Sequence, residues 1–287
     1  MHKQITFSLE NSFWCHPLSD FLMGIPGVNS VEINEVTSQI TILLRGGIDE
    51  NMVIDKVHSF CHELRISIPQ TVISELKNCD WVAQFRKHFH PFAMNDYIQI
   101  VPSWESSAYD DSENGRQMIV VEPGQAFGTG LHATTALAAQ LLIEYAVKHR
   151  SFSVLDVGTG SGILSIIAEK NGASSVTAFD IDPLCSNAFT THLKLNDCNP
   201  THFDMFVGTA HALRPGFATD LVVMNAIETI IRKVLPNLIS TIRGDLILTG
   251  VLKQDADEFT EYLNGLEFRV IEHRTRDEWS AFVCRKN

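Results

Sequence analysis

Residues 154–182 read VLDVGTGSGILSIIAEKNGASSVTAFDID, and the fold is decided there. A short apolar run, Val154 and Leu155, ends in Asp156. Glycines follow at alternate positions, Gly158, Gly160 and Gly162. Ile163, Ile166 and Ile167 then recur at helical spacing, and Gly172 stands where a helix would stop. A second β-type run, 176–179, ends at Asp180. The order is strand, glycine turn, helix, strand, acid. Such a turn lets backbone N–H groups and a helix N-terminus approach a ligand closely. An acid at the tip of the next strand is placed to accept hydrogen bonds from a ribose.

The glycine order separates the ligands that use such a turn. The dinucleotide fingerprint is G-x-G-x-x-G, and its third glycine would fall on Ile163. No arginine follows Asp180 to meet a 2′-phosphate, and no G-x-x-x-x-G-K-[ST] run occurs in the chain. G-x-G-x-G with one acid before it and one after it suits a ligand with ribose hydroxyls but no pyrophosphate. S-adenosylmethionine is such a ligand. Asp156, Gly158, Gly160 and Asp180 are therefore the cofactor-binding candidates of this stretch. A plain βα turn would explain the glycines but gives no reason for the two acids.

The chain has 287 residues, 45% of them hydrophobic and 20% charged, which suits one large or two ordinary domains with a real core. Its six cysteines are scattered without a C-x-x-C pair, so neither a zinc site nor a redox dithiol is expected. The start at Met1 shows no charged-then-apolar leader, and no long apolar span follows; a soluble, cytoplasmic monomer is the expectation. A net charge of −12 argues against a nucleic-acid binder and favours cationic partners.

In chain order, residues 2–9 alternate as a half-buried strand. Residues 11–24 have a helical apolar set, 28–33 and 39–44 read as strands, and 51–64 read as a helix. With a last strand near 66–68 this predicts a ferredoxin-like α+β domain over residues 1–69. It carries no evident chemistry, and substrate recognition is its expected use. His58 and His62 lie one helical turn apart but lack a third ligand, so no metal site is expected. Residues 70–90 are helical in period, through Leu76, Val82, Phe85 and Phe89, and Pro91 ends the run; residues 70–95 read as a linker helix.

Residues 96–287 form the remaining domain. Strands are predicted at 97–104 and 118–121, with an acidic loop over 105–116. Gly128-Thr129-Gly130 makes a flexible loop, and a helix begins near Thr134, capped by Thr134 or Thr135. Its N-terminal N–H groups and a threonine hydroxyl suit a carboxylate such as that of a methionine moiety. An apolar strand over 220–224 leads to Asn225. A helix over 229–242 contains Pro236, which would kink or split it. A strand at 245–249, a helix at 255–263 and a terminal hairpin complete a doubly wound, mostly parallel, Rossmann-like α/β sheet.

The runs VEPGQAFGTGLHATTAL, VLDVGTGSGIL and AFDIDP resemble the PrmA-type ribosomal protein methyltransferases. The likeness extends to CDWVAQFRKHFHPF, VPSW, DLVVMNAI, the Leu248–Leu252 turn and the tail EWSAFVCRKN, spanning roughly residues 79–287. F-G-T-G-x-H-x-T-T is its most specific part. The resemblance implies an enzyme that uses S-adenosylmethionine to methylate amino groups of large-subunit ribosomal protein eleven, a basic protein substrate. It implies cofactor contacts at Thr135, Gly158, Asp180 and Asn225. Topology places Asn225 likewise, since ligands of open α/β sheets sit beyond the carboxyl ends of strands. Asn225 and His132 are the catalytic candidates, with loop support the preferred role for His132.

The chain departs from the family pattern at two places. Ala133 replaces a usual proline, and Ala226-Ile227-Glu228 stands where the family tends to read Ile-Leu-Ala. At the second, Glu228 is expected to face water at a helix start. The chemistry needs alignment of donor and acceptor rather than a metal, and a lysine acceptor, with a free pKa of roughly 10.4, must first lose a proton. Three other readings use the same features: a methyltransferase for another protein or a small molecule, a nicotinamide dehydrogenase, and a cofactor-binding interaction module without catalysis. The glycine order disfavours the dehydrogenase.

Overall fold

A computed structural model describes residues 2–23, 25, 27–34, 36–44, 47–64, 66–76, 89–109, 115–122 and 132–287. The chain divides into two compact units, Met1–Phe85 and Arg86–Asn287.

The first unit runs β1 (His2–Ser8), α1 (Cys15–Met23), β2 (Val28–Asn34), β3 (Gln39–Leu44), α2 (Glu50–Leu64) and β4 (Gln70–Leu76). Its sheet has the order β2-β3-β1-β4 with every neighbour antiparallel. Period-two alternation puts Ile5 and Phe7 of β1 and Ile40, Ile42 and Leu44 of β3 on one face. That face packs on Leu18 and Leu22 of α1 and on Val53, Val57 and Cys61 of α2. This is the ferredoxin-like arrangement. Cys61, between the two histidines of α2, is a core residue whose thiol is pushed up by burial.

The last strand lies at Gln70–Leu76, not at 66–68, and it occupies the start of the stretch whose spacing predicts a linker helix. The physical reason is pairing: β4 runs antiparallel to β1 over its whole length, from Ser8 opposite Gln70 to His2 opposite Leu76. Thr71, Val72 and Ile73 are β-branched and suit a strand, whereas most of the helical apolar set lies further along. Residues 77–88 of that linker fall outside the described residues.

In the second unit, β5 (Phe92–Ala93), β6 (Ile98–Pro102) and β7 (Gln117–Val121) form a small sheet. The main sheet is built from β8 (Phe152–Val157), β9 (Ala173–Asp180), β10 (Phe203–Val207), β11 (Thr219–Asn225), β12 (Ile242–Leu252), β13 (Phe268–Arg276) and β14 (Trp279–Lys286). Its helices are α3 (Ala133–Lys148), α4 (Ile163–Lys170), α5 (Leu184–Leu195), α6 (Glu228–Val234) and α7 (Ala256–Gly265). The strand order is β10-β9-β8-β11-β12-β14-β13. All neighbours from β10 to β12 are parallel, and β14 runs antiparallel to both β12 and β13. The order reverses between β8 and β11, and the crevice of a doubly wound sheet opens beyond the carboxyl ends at that point. Leu155, Val222, Met224, Leu246 and Leu248 form part of the core beneath it.

Pro236 splits the helix expected over 229–242: α6 ends at Val234, and two 3-10 turns follow at Leu235–Asn237 and Ile239–Thr241. The stretch 248–252, read as a turn, is instead the end of β12, interrupted against β14 by a bulge between Thr249 and Val251. Between 183 and 218 the sequence offers only weak periodicity, and α5 and β10 come from the structure alone.

Candidate functional site

Gly158, Gly160 and Gly162 all adopt positive φ, at 70°, 57° and 83°. The turn is stitched to the next strand, because the N–H groups of Gly158 and Thr159 donate to the Phe179 carbonyl at 2.9 and 3.1 Å. The first and last glycines serve different ends. A Cβ at Gly158 would meet nothing within 4 Å, so the backbone there borders open space. A Cβ at Gly162 would lie 2.5 Å from Cδ2 of Phe189, so that glycine lets α5 pack against the start of α4.

Asp156 and Asp180, expected to act alike, are placed differently. Asp156 is 2% exposed. Its Oδ2 accepts from the hydroxyls of Thr159 at 2.7 Å and Ser165 at 2.6 Å. Burial raises its carboxyl above the usual carboxylate range, against the two hydroxyls, which lower it. It is turned inward and holds the glycine turn from below. Asp156→Ala leaves two buried hydroxyls without their acceptor. A loss of about 2–4 kcal/mol in unfolding free energy is expected by denaturant titration, with Asp156→Asn, which keeps an acceptor oxygen, losing less.

Asp180 closes β9 at the rim. Its Oδ2 accepts from Gly160 N–H at 2.9 Å and its Oδ1 from Asp182 N–H at 3.0 Å. A carboxylate offers about four lone-pair sites, so the group keeps capacity for a further donor. Val207 pairs with Asp180 across β10, and Gly208 N–H donates to the Asp180 carbonyl at 2.8 Å. Ile181, 74% exposed, and Val207, 45% exposed, therefore present apolar surface beside that carboxylate.

Across the switch point, three side chains form one chain of hydrogen bonds. Asn225 Nδ2 donates to Thr135 Oγ1 at 3.1 Å, and Thr249 Oγ1 donates to Asn225 Oδ1 at 2.9 Å. This fixes both ends of the Asn225 amide and brings the first turn of α3 to the carboxyl ends of β11 and β12. Thr249 lies within the Leu248–Leu252 stretch of the resemblance, which gives it no role; its register opposite Asn225 does.

His132, not a threonine, caps α3. Its Nδ1 accepts from Thr134 N–H at 3.3 Å and lies 2.8 Å from Thr134 Oγ1, and its carbonyl accepts the N–H groups of Thr135 and Ala136. Thr134 and Thr135 sit inside the first turn, 3% and 1% exposed. Three of the helix N–H groups expected to meet a carboxylate, those of Thr134, Thr135 and Ala136, are thus taken by His132, and the Thr135 hydroxyl stands beside Asn225. The His132 ring meets Trp279 edge-on with centroids 5.1 Å apart. Residues 123–131, with the Gly128-Thr129-Gly130 loop, lie outside the described residues.

Glu228 does not face water alone. Its Oε1 accepts from Arg232 Nε at 2.7 Å. Arg232 in turn lies over the Tyr262 ring at 4.4 Å and reaches Glu258 at 3.2 Å. The i,i+4 spacing on α6 explains the pair. Two further residues escape the sequence: His192 of α5 and Asn196, which caps that helix, each 4% exposed, bond to the backbone of β7 and its flank.

The donor set suits S-adenosylmethionine. A backbone turn bordering open space, a rim carboxylate with spare lone pairs, a threonine hydroxyl and a pinned amide lie around the carboxyl ends of one parallel sheet. Together with the strand order, they define an α/β methyltransferase. The model of the family described as "Ribosomal protein L11 methyltransferase (PrmA)" matches residues 23–287, and the chain belongs to that family. It is 34% identical over 211 residues to the ribosomal protein L11 methyltransferase of Macrococcus caseolyticus, covering 72% of this chain and 65% of that protein. It is 31% identical over 227 residues to that of Geobacillus thermodenitrificans, covering 78% of this chain and 71% of that one. A crystal structure of the ribosomal protein L11 methylase from Lactobacillus delbrueckii subsp. bulgaricus superposes with a TM-score of 0.62 at 30% identity, over 69% of this chain and all of that one.

Proposed function

We propose that this chain transfers methyl groups from S-adenosylmethionine to amino groups, on lysine side chains or the N-terminus, of ribosomal protein L11 in the cytoplasm. The observation that carries this reading is the Thr135–Asn225–Thr249 chain of hydrogen bonds, set across the switch point from the Gly158–Asp180 turn. Among the described residues no helix is long and apolar enough to cross a membrane.

When bound, S-adenosylmethionine supplies an electrophilic methyl on a sulfonium. The residues of the chain do the rest by position. Asp180 accepts from ribose hydroxyls with its spare lone pairs. Gly158 admits the nucleoside against bare backbone. The Thr135 hydroxyl, which accepts from Asn225, keeps its proton for a carboxylate. The Asn225 amide, held at both ends by threonines, retains one N–H and one lone pair to orient an incoming amine. Such positioning is the main source of rate for a reaction between preformed partners. Asp156 supports the turn through Thr159 and Ser165. The Met1–Phe85 unit, which contains none of these residues, serves to recognise the protein substrate.

The test is incubation of the purified chain with methyl-labelled S-adenosylmethionine and the separated large-subunit ribosomal proteins. Label is expected in L11 and not in the others. Tight cofactor binding without transfer to any of them would leave a binding module instead.

A further inference from the structure

We infer that His192 is a positioning residue that ties the backbone on the two sides of the cofactor site to each other. This rests on the methyltransferase reading above. His192 lies on α5 and is 4% exposed. Its Nε2 accepts from Glu122 N–H at 2.8 Å, and its Nδ1 lies 2.8 Å from the Ser161 carbonyl, to which it donates. Ser161 belongs to the glycine turn, between Gly160 and Gly162. Glu122 follows β7 and directly precedes the run PGQAFGTGL that leads to His132. One ring therefore bonds to the backbone at both Ser161 and Glu122.

The arrangement has a geometric basis. Asn196, one helical turn beyond His192, bonds to both backbone groups of Val120: its Oδ1 accepts from Val120 N–H at 2.8 Å, and its Nδ2 donates to the carbonyl at 2.7 Å. Four residues of helix rise about 6 Å, and two residues of strand rise about 6.6 Å. An i,i+4 pair at the end of α5 and its cap thus matches an i,i+2 pair, Val120 and Glu122, along the free edge of β7 and its continuation, the other edge of β7 being taken by β6. Both side chains satisfy backbone groups that would otherwise be unpaired in a buried place. Only His192 adds the contact to the glycine turn.

The two partners dictate one tautomer, with the proton on Nδ1 and a lone pair on Nε2. A protonated ring would set an N–H against the Glu122 N–H and release it. Burial holds the imidazole pKa below the usual histidine value, against the Ser161 and Glu122 backbone bonds and the Glu122 carboxylate, which raise it. Glu122 is the charge that acts on the ring, and residues 123–131 contain no titratable side chain. The sign follows: the tie is present above about 6.5, the free histidine value, and is lost as pH falls through the lowered folded value.

The experiment uses the full chain and two variants. His192→Gln keeps an acceptor toward Glu122, and His192→Asn keeps a donor toward Ser161. S-adenosylmethionine affinity is measured by calorimetry from pH 5 to 8, beside amide hydrogen exchange at Glu122 without cofactor, and KM and kcat. The native chain is expected to lose affinity and Glu122 protection together as pH falls. His192→Asn should raise Kd and the KM for cofactor roughly five- to tenfold, the loss of about one hydrogen bond, with a smaller change in kcat. It should also abolish the pH step, and His192→Gln should recover part of the affinity. Asn196→Ala, which removes the bonds to Val120 and to the His192 carbonyl but none to the His192 ring, should lower thermal stability and leave the pH step in place. Native affinity with a native pH profile in both His192 variants would overturn the inference. A native chain that binds no cofactor, yet shows the pH-dependent protection of Glu122, would overturn the methyltransferase reading and leave the tie standing.

Discussion

Gly250→Ala is expected to unfold the second unit more readily by about 3–5 kcal/mol and to abolish activity at ordinary temperatures. Gly250 has a φ of +104°. A Cβ there would lie 2.7 Å from the carbonyl carbon of Ala226 and closer still to its oxygen. Both partners are backbone, so no side-chain rotation relieves the contact. The clash falls where β11 leaves the sheet over the bulge of β12, with Ala226 N–H donating to the Thr249 carbonyl at 3.1 Å. Either segment that yields carries Asn225 or Thr249 with it. Gly216→Ala is the control. Gly216 has a φ of +75° but open space where a Cβ would stand, so only the conformational cost of roughly 1 kcal/mol applies. Denaturant unfolding of both variants separates the terms. A Gly250→Ala midpoint equal to that of Gly216→Ala would show that the backbone at 226 gives way without cost.

What the sequence makes legible follows from how local each cause is. The turn at 158–162 is written in residue type, because three positive φ angles at alternate positions call for glycine. The split at Pro236 is local in the same sense. β4 is not: it is an edge strand with Val72 and Ile73 largely exposed, held by backbone pairing to β1 more than sixty residues away. No periodicity of residues 70–76 records that partner. At the start of α3 the pattern points to a threonine because threonine is the commoner cap, while His132 reaches Thr134 through a ring nitrogen. Glu228 and Arg232 are readable as an i,i+4 pair, but the rings of Phe259 and Tyr262 that hold the arginine come from α7. His192 and Asn196 act across 70 and 76 residues of sequence, and nothing near them marks their partners.

Asp156 and Asp180 are the sharpest case. Each follows a β-type run, and each has the sequence setting of a ligand contact, yet burial separates them and makes opposite results follow from the same substitution. Asp156→Ala should weaken the fold. Asp180→Ala should leave the fold nearly intact and lower affinity for S-adenosylmethionine by about 10²–10⁴-fold, since two ribose hydroxyls each lose a charged acceptor of about 1.5–3 kcal/mol. Part of that loss comes from Gly160, whose N–H also depends on the Asp180 carboxylate. Asp180→Asn isolates this part: the amide oxygen still accepts from Gly160 but lacks charge and one acceptor atom, so its affinity should fall between the other two. Calorimetric titration of the three proteins, with unfolding midpoints measured alongside, decides the matter. If Asp180→Ala binds as the native chain does, the ribose rests on another group, and the carboxylate serves only to shape the turn.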